Sequence, residues 1–142
     1  MQKITEKRKP NIILKLSLRF AREYFDMLEK MYKKYTLEKI QESESLTITQ
    51  RALWTSLIIE VGRLFDTYES VDKKVISFKK VNSLKREIDK IHGEVIIGKI
   101  IKTRKTFTAH WGEGKDEVVS VAQILSSNLK ELLEKLEKLE IA

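Results

Sequence analysis

Apolar side chains return every three or four residues from Leu14 onward, at Leu14, Leu18, Ala21, Phe25, Leu28, Tyr32 and Tyr35. That is the period of one buried helix face. Lys15, Arg19, Arg22, Lys30 and Lys33 fall on other faces. The pattern predicts a first helix over about 12–40, with Asn11 after Pro10 as its N-cap. The polar stretch Met1 to Pro10 ahead of it is expected to be disordered or loosely attached. A Ser/Glu-rich break follows at 41–46. Thr47 with Gln50 three residues later matches a capping box, predicting a second helix from there to about Asp66. Its apolar residues cover much of its circumference, as befits a central helix. Gly62 lowers its helix propensity by about 1 kcal/mol relative to Ala, and close approach of a neighbouring helix is the expected reason.

Residues 67–81 read as a connector with one packed turn at Val75, Ile76 and Phe78. A third helix is expected over 83–92, stopped by Gly93, with His92 as a surface residue or a partner of a helix C-terminus. The isoleucines at 96, 97, 100 and 101 could belong to a strand. The length of the pattern and the lack of a partner strand favour a fourth helix, from Val95 to about His110. Trp111-Gly112-Glu113-Gly114 reads as a turn. A last helix is expected from about Asp116 to Glu140. Its seam of Val118, Ala122, Leu125, Leu129, Leu132, Leu136 and Leu139 steps by four and three. That seam can pack within its own bundle or against another chain. The fold class expected from these elements is all-α, an antiparallel bundle of four to five helices in one domain over residues 1–142.

Composition supports helices over sheet. One proline and five glycines in 142 residues leave little material for the many turns of a β-fold, while a 42% hydrophobic fraction suffices for a core. There are no cysteines, which removes disulfides, thiolate metal sites and a cysteine nucleophile. No apolar run has the length of a membrane span, and the charged N-terminus lacks a signal peptide's apolar core. A cytoplasmic protein is expected. Net charge is +7 and unevenly placed: residues 71–115 hold 12 Lys and Arg against 5 Asp and Glu. Such a segment suits a polyanionic ligand, although most lysines on helices are solvated.

Candidate chemistry lies in that segment, in Lys102-Thr103-Arg104-Lys105-Thr106-Phe107-Thr108-Ala109-His110-Trp111-Gly112. Arginine binds phosphate oxygens as a permanent, forked cation. Histidine exchanges a proton near neutral pH. The bland alternative is a solvated arginine and a helix-end histidine. No phosphate-binding glycine loop, nucleophile elbow or zinc-helix motif is present. His92 and His110, eighteen residues apart and without cysteines, do not form a zinc pattern. A six-residue step turns a helix by about 600°, so Arg104 and His110 project about 120° apart. They converge only if the helix ends before His110 or if both line a wider cleft.

The arginine, five intervening residues and histidine, with Ala109-His110, fit the pattern of the HEPN superfamily of small helical RNA-acting domains. The run Trp54 to Asp66, ending Arg63-Leu64-Phe65-Asp66, resembles the HEPN branch named after phage abortive-infection proteins. The likeness covers about Arg51 to Gly112. It implies a homodimer whose cleft between protomers brings two motifs together, and endonucleolytic RNA cleavage that requires no metal or other cofactor. Arg104 and His110 are then the catalytic pair. Trp111 stacks on a base or seals the bundle end, and Asp66 orients the pair or instead binds Arg63 or Lys79. Lys102 and Lys105 are candidate RNA contacts. The resemblance further implies a toxin or phage-defence effector with a nucleotidyltransferase-type antitoxin as protein partner. Some family members carry a tyrosine two residues past the histidine for that partner to modify; here the position is Gly112. The competing expectations are a non-catalytic HEPN module that binds RNA, a nucleotide or a protein, and a plain helical adaptor using the leucine seam.

Overall fold

The computed structural model describes residues 2–65, 85–109 and 118–138, with side chains from residues 12–65, 86–105 and 118–138. Seven helical segments occur among them: α1 (Gln2–Lys34), α2 (Leu37–Glu42), α3 (Glu44–Phe65), α4 (Lys85–His92), α5 (Val95–Ala109), α6 (Val121–Leu125) and α7 (Leu129–Lys138). The protein is an all-α bundle. No helix among the described residues is long and apolar enough to cross a membrane.

α1 starts at Gln2, ten residues ahead of the expected start, and continues through Pro10. It buries the stripe read from the sequence, Leu14, Leu18, Ala21, Phe25 and Leu28, and adds Met31. It stops at Lys34 instead of running on to residue 40. The Thr36 side chain accepts a hydrogen bond from the Lys39 N–H at 3.2 Å and opens α2 as a separate turn. That short helix turns the chain back and drives Ile40 fully into the core.

The expected capping box at Thr47 and Gln50 is not used. Ser43 opens α3 four residues earlier, its hydroxyl accepting from the Leu46 N–H at 3.2 Å. Ser43 also closes α2, its N–H donating to the Lys39 carbonyl at 3.2 Å. Thr47 donates its hydroxyl to the Ile40 carbonyl at 2.7 Å, and Gln50 Nε2 donates to the Tyr32 hydroxyl oxygen at 2.7 Å. Both residues hold α3 to the preceding elements instead of capping it.

α3 packs against α1 on one side and α5 on the other, which makes it the central helix the sequence led one to expect. Its Leu57, Ile58, Val61 and Leu64 have no solvent exposure. The isoleucine run is helical, and Ile97 and Ile100 of α5 are fully buried. α7 packs along the other flank of α1, antiparallel to it. Arg22 Nη1 lies 2.5 Å from Glu137 Oε2, while further along α1 Asp26 and Glu29 each lie 3.3 Å from Lys130 Nζ, earlier on α7.

The single last helix of the sequence reading is two helices. The Ser127 hydroxyl donates to the Ile124 carbonyl at 2.5 Å and accepts from the Leu129 N–H at 3.2 Å. Hydroxyls that satisfy backbone groups locally compete with helix continuation in this way. The break shifts the register. Leu129, Leu132 and Leu136 of the leucine seam are buried within the chain, but upstream the core takes Val119 and Ile124, leaving Val118 and Ala122 exposed. Leu139 lies outside the described residues.

Candidate functional site

α5 begins after a tight reversal in which the Gly93 N–H donates to the Asp89 carbonyl and the Glu94 N–H to the Ile91 carbonyl, both at 3.0 Å. Arg104 follows Ile97 by seven residues and Ile100 by four, so its side chain leaves the helix on the side that faces the core. It is half-buried there. Its partner surface is Gly62 of α3. A Cβ placed at position 62 would come within 3.3 Å of both Cβ and Cγ of Arg104 and closer still to its Cδ. Close approach was the expected reason for this glycine, and the approaching group is the arginine's own apolar stem. Packing of the methylenes against α3 leaves the guanidinium at the far end of an anchored stem.

The next residue back, Thr103, is fully buried. Its hydroxyl donates to the Lys99 carbonyl at 2.8 Å and accepts from the Val119 N–H at 3.0 Å. The Val119 carbonyl accepts from Trp54 Nε1 of α3 at 3.1 Å. The chain therefore leaves the described part of α5 at Ala109 and re-enters bound to the same helix, about 9 Å back along its axis. The sequence reading missed Thr103 and Val119 entirely. A threonine within an isoleucine-rich helix face is the one local sign that pointed there.

His110, Trp111 and Asp66 lie outside the described residues. Of the predicted group, Arg104, Lys102 and Lys105 are described, and α5 does not gather them on one face. A two-residue step turns a helix by about 200°, so Lys102 projects nearly opposite to Arg104, and Lys105 lies about a quarter turn from it. Both lysines are exposed. His92 is half-buried. Its Nε2 lies 3.2 Å from the Phe65 carbonyl, and its ring meets the Phe65 ring edge-on at 5.8 Å. The helix C-terminus it serves is that of α3, whose last carbonyls lack helical partners.

A cleft that none of these residues lines lies elsewhere. About 630 Å³ lies between α1 and α7, lined by Lys15, Leu18, Arg19, Arg22, Glu23, Asp26, Leu136 and Glu137. Its charges answer one another: Arg22 is paired with Glu137, whose hydrogen bond holds the guanidinium above its ordinary pKa, and Arg19 is paired with Glu23 at 3.2 Å. Three cations facing three carboxylates leave no net field to collect an anion. A second hollow of about 290 Å³ lies where the start of α5 meets the link between α6 and α7. Among the described residues, no cluster of three or more His, Asp or Glu could hold a metal ion.

No protein-family model, curated protein or solved structure matches the chain.

Proposed function

We propose that this protein is a HEPN-like, metal-independent endoribonuclease that acts as a homodimer in the cytoplasm, in the setting of a toxin or phage-defence effector. The observation that carries the reading is the seating of Arg104. An arginine whose stem is anchored on a glycine loses less side-chain entropy when its guanidinium engages a phosphate than a free surface arginine does. It stands in the most basic segment of the chain, which favours a polyanion. His110, six residues on, takes the proton of a ribose 2′-hydroxyl or supplies one to the leaving 5′-oxygen, while Arg104 stabilises charge on the phosphorane. Lys102 and Lys105 contact the RNA backbone, Trp111 stacks on an unpaired base, and Asp66 orients the pair. The resemblance to that superfamily favours two chains contributing to each site. A nucleotidyltransferase-type antitoxin is the protein partner that fits this setting.

The test is a time course on mixed single-stranded and hairpin RNA, with and without EDTA. Cleavage that persists in EDTA and leaves 2′,3′-cyclic phosphate ends is expected, because the attacking group is the neighbouring hydroxyl. If wild-type protein binds RNA with a steep salt dependence but leaves it intact, the non-catalytic HEPN module takes the place of the enzyme.

A further inference from the structure

Gly98 stands inside α5, between Ile97 and Lys99. Glycine is among the costliest residues to place inside a helix. The other described glycines answer to the chain itself. Gly62 seats the stem of Arg104, and a Cβ at Gly93, in the reversal before α5, would stand 3.4 Å from the Asp89 carbonyl oxygen. At Gly98 no described residue comes within 4 Å of where a Cβ would be. The gap opens away from Ile96, Ile100 and Thr103, which are buried. Val95, Lys102 and Lys105 share its face of the helix, within an arc of about 80° and a length of about 15 Å. Val95 is 72% exposed, and both lysines are exposed. Exposed Lys99 borders the arc on one side, and half-buried Glu94, just before α5, borders it on the other. From Val95 to Ala109 the helix carries Lys99, Lys102, Arg104 and Lys105 and no Asp or Glu.

We propose that the phosphate backbone of single-stranded RNA lies along this face, touching α5 at Gly98 and running past Lys102 to Lys105. The missing side chain lets a phosphate reach the helix backbone where a methyl would otherwise stand. Lys102 and Lys105, one and two turns further along the same face, neutralise the phosphates that follow, and Lys99 does so from the edge. Lys105 adjoins Arg104 in the chain, so a strand that follows the strip arrives at the part of α5 that carries the arginine. An acidic protein segment is a poorer match. Protein interfaces centre on apolar and aromatic anchors, and among the described residues of this strip Val95, at its end, is the one exposed apolar side chain. A duplex is a poorer match as well, because duplex-binding domains span about 16 base pairs, several times the length of the strip.

This rests on the RNA part of the proposed function and names the path the strand takes. The probe is a short fluorescein-labelled 2′-O-methyl oligouridylate, which lacks the attacking hydroxyl, so binding is read apart from cleavage. In the full chain, Gly98→Ala and Gly98→Leu should raise the urea midpoint, because both put a better helix former into open space. Both should weaken binding. The leucine variant should lose about ten-fold, the worth of one charge-assisted hydrogen bond, and the alanine variant less. Lys99→Gln, Lys102→Gln and Lys105→Gln should each flatten the slope of log affinity against log salt by about 0.7. A Gly98→Leu chain that binds like the wild type overturns the proposal. So does a lowered urea midpoint in Gly98→Ala, which shows that the chain itself covers position 98. A duplex probe that binds as well and loses as much in Gly98→Leu overturns the single-stranded assignment, and polyglutamate that does so gives the face to an acidic protein segment. Cleavage by a wild type whose Gly98→Leu variant binds normally sinks the strip and keeps the chemistry. Binding that depends on Gly98, with ordinary RNA left intact, keeps the strip and sinks the enzyme.

Discussion

Gly62 of α3 leaves open the space that the stem of Arg104 fills: a Cβ at position 62 would stand 3.3 Å from both Cβ and Cγ of the arginine and nearer still to Cδ. The two residues are coupled, and stability measurements can read the coupling without reference to activity. Gly62→Ala gains about 1 kcal/mol of helix propensity but must displace a packed side chain, at about 1–3 kcal/mol. The single variant is expected to be less stable by urea denaturation. In an Arg104→Ala background most of the obstruction is gone, and the same substitution should become neutral or stabilising. Equal effects in both backgrounds would show that the contact carries no energy.

On the proposed chemistry, His110→Ala should slow RNA cleavage by about 10²–10⁴, the usual worth of a positioned general acid or base. Arg104→Ala should fall in a similar range through loss of charge stabilisation. Arg104→Lys keeps the charge but loses the fork and should recover only part of the rate. Single-turnover rates at saturating enzyme are the measurement, with circular dichroism to verify folding.

Thr103 supplies the acceptor for the Val119 N–H at 3.0 Å. Thr103→Val conserves shape but leaves a buried N–H unsatisfied, which costs about 1–3 kcal/mol. Thr103→Ser keeps the hydroxyl and should keep most of the stability. Amide exchange at Val119 should quicken in the valine variant alone.

Burial holds the Tyr32 phenol above its ordinary 10.0. The folded chain thus binds that proton more tightly than the unfolded one. Its contribution to stability is complete below about pH 10 and is lost as pH rises through the raised value. Lys130 acts in the same direction, raised by hydrogen bonds to Glu29 and then to Asp26. Tyr32→Phe should flatten part of the decline in urea midpoint above about pH 10, while leaving the Lys130 part. An unchanged slope would show that Tyr32 does not contribute to it.

The buried stripe of α1, the central position of α3 and the helical state of the isoleucine run were legible in the sequence because each depends on periodicity alone. The ends of helices were not. Ser43 and Thr47 both stand before an apolar helical run, and the choice between them rests on the Ile40 carbonyl and the Tyr32 hydroxyl, which only the folded chain brings within reach. The leucine seam continued on paper through Ser126, Ser127 and Asn128 because apolar spacing does not register hydroxyls that take up backbone partners. In the candidate site Arg104 could be named from local spacing. Its seat on Gly62, forty-two residues away in the chain, could not.

The clasp from Thr103 through Val119 to Trp54 has a bearing on how this chain can vary. Thr103 is the residue next to Arg104, so the hydroxyl that closes the clasp also fixes the turn of α5 from which the arginine departs. Trp54 stands eight residues before Gly62 on the helix that seats the arginine. A change at any one of positions 54, 62 and 103 therefore alters a frame that the other two share, and substitutions that preserve this seat are expected to arise in combination rather than singly.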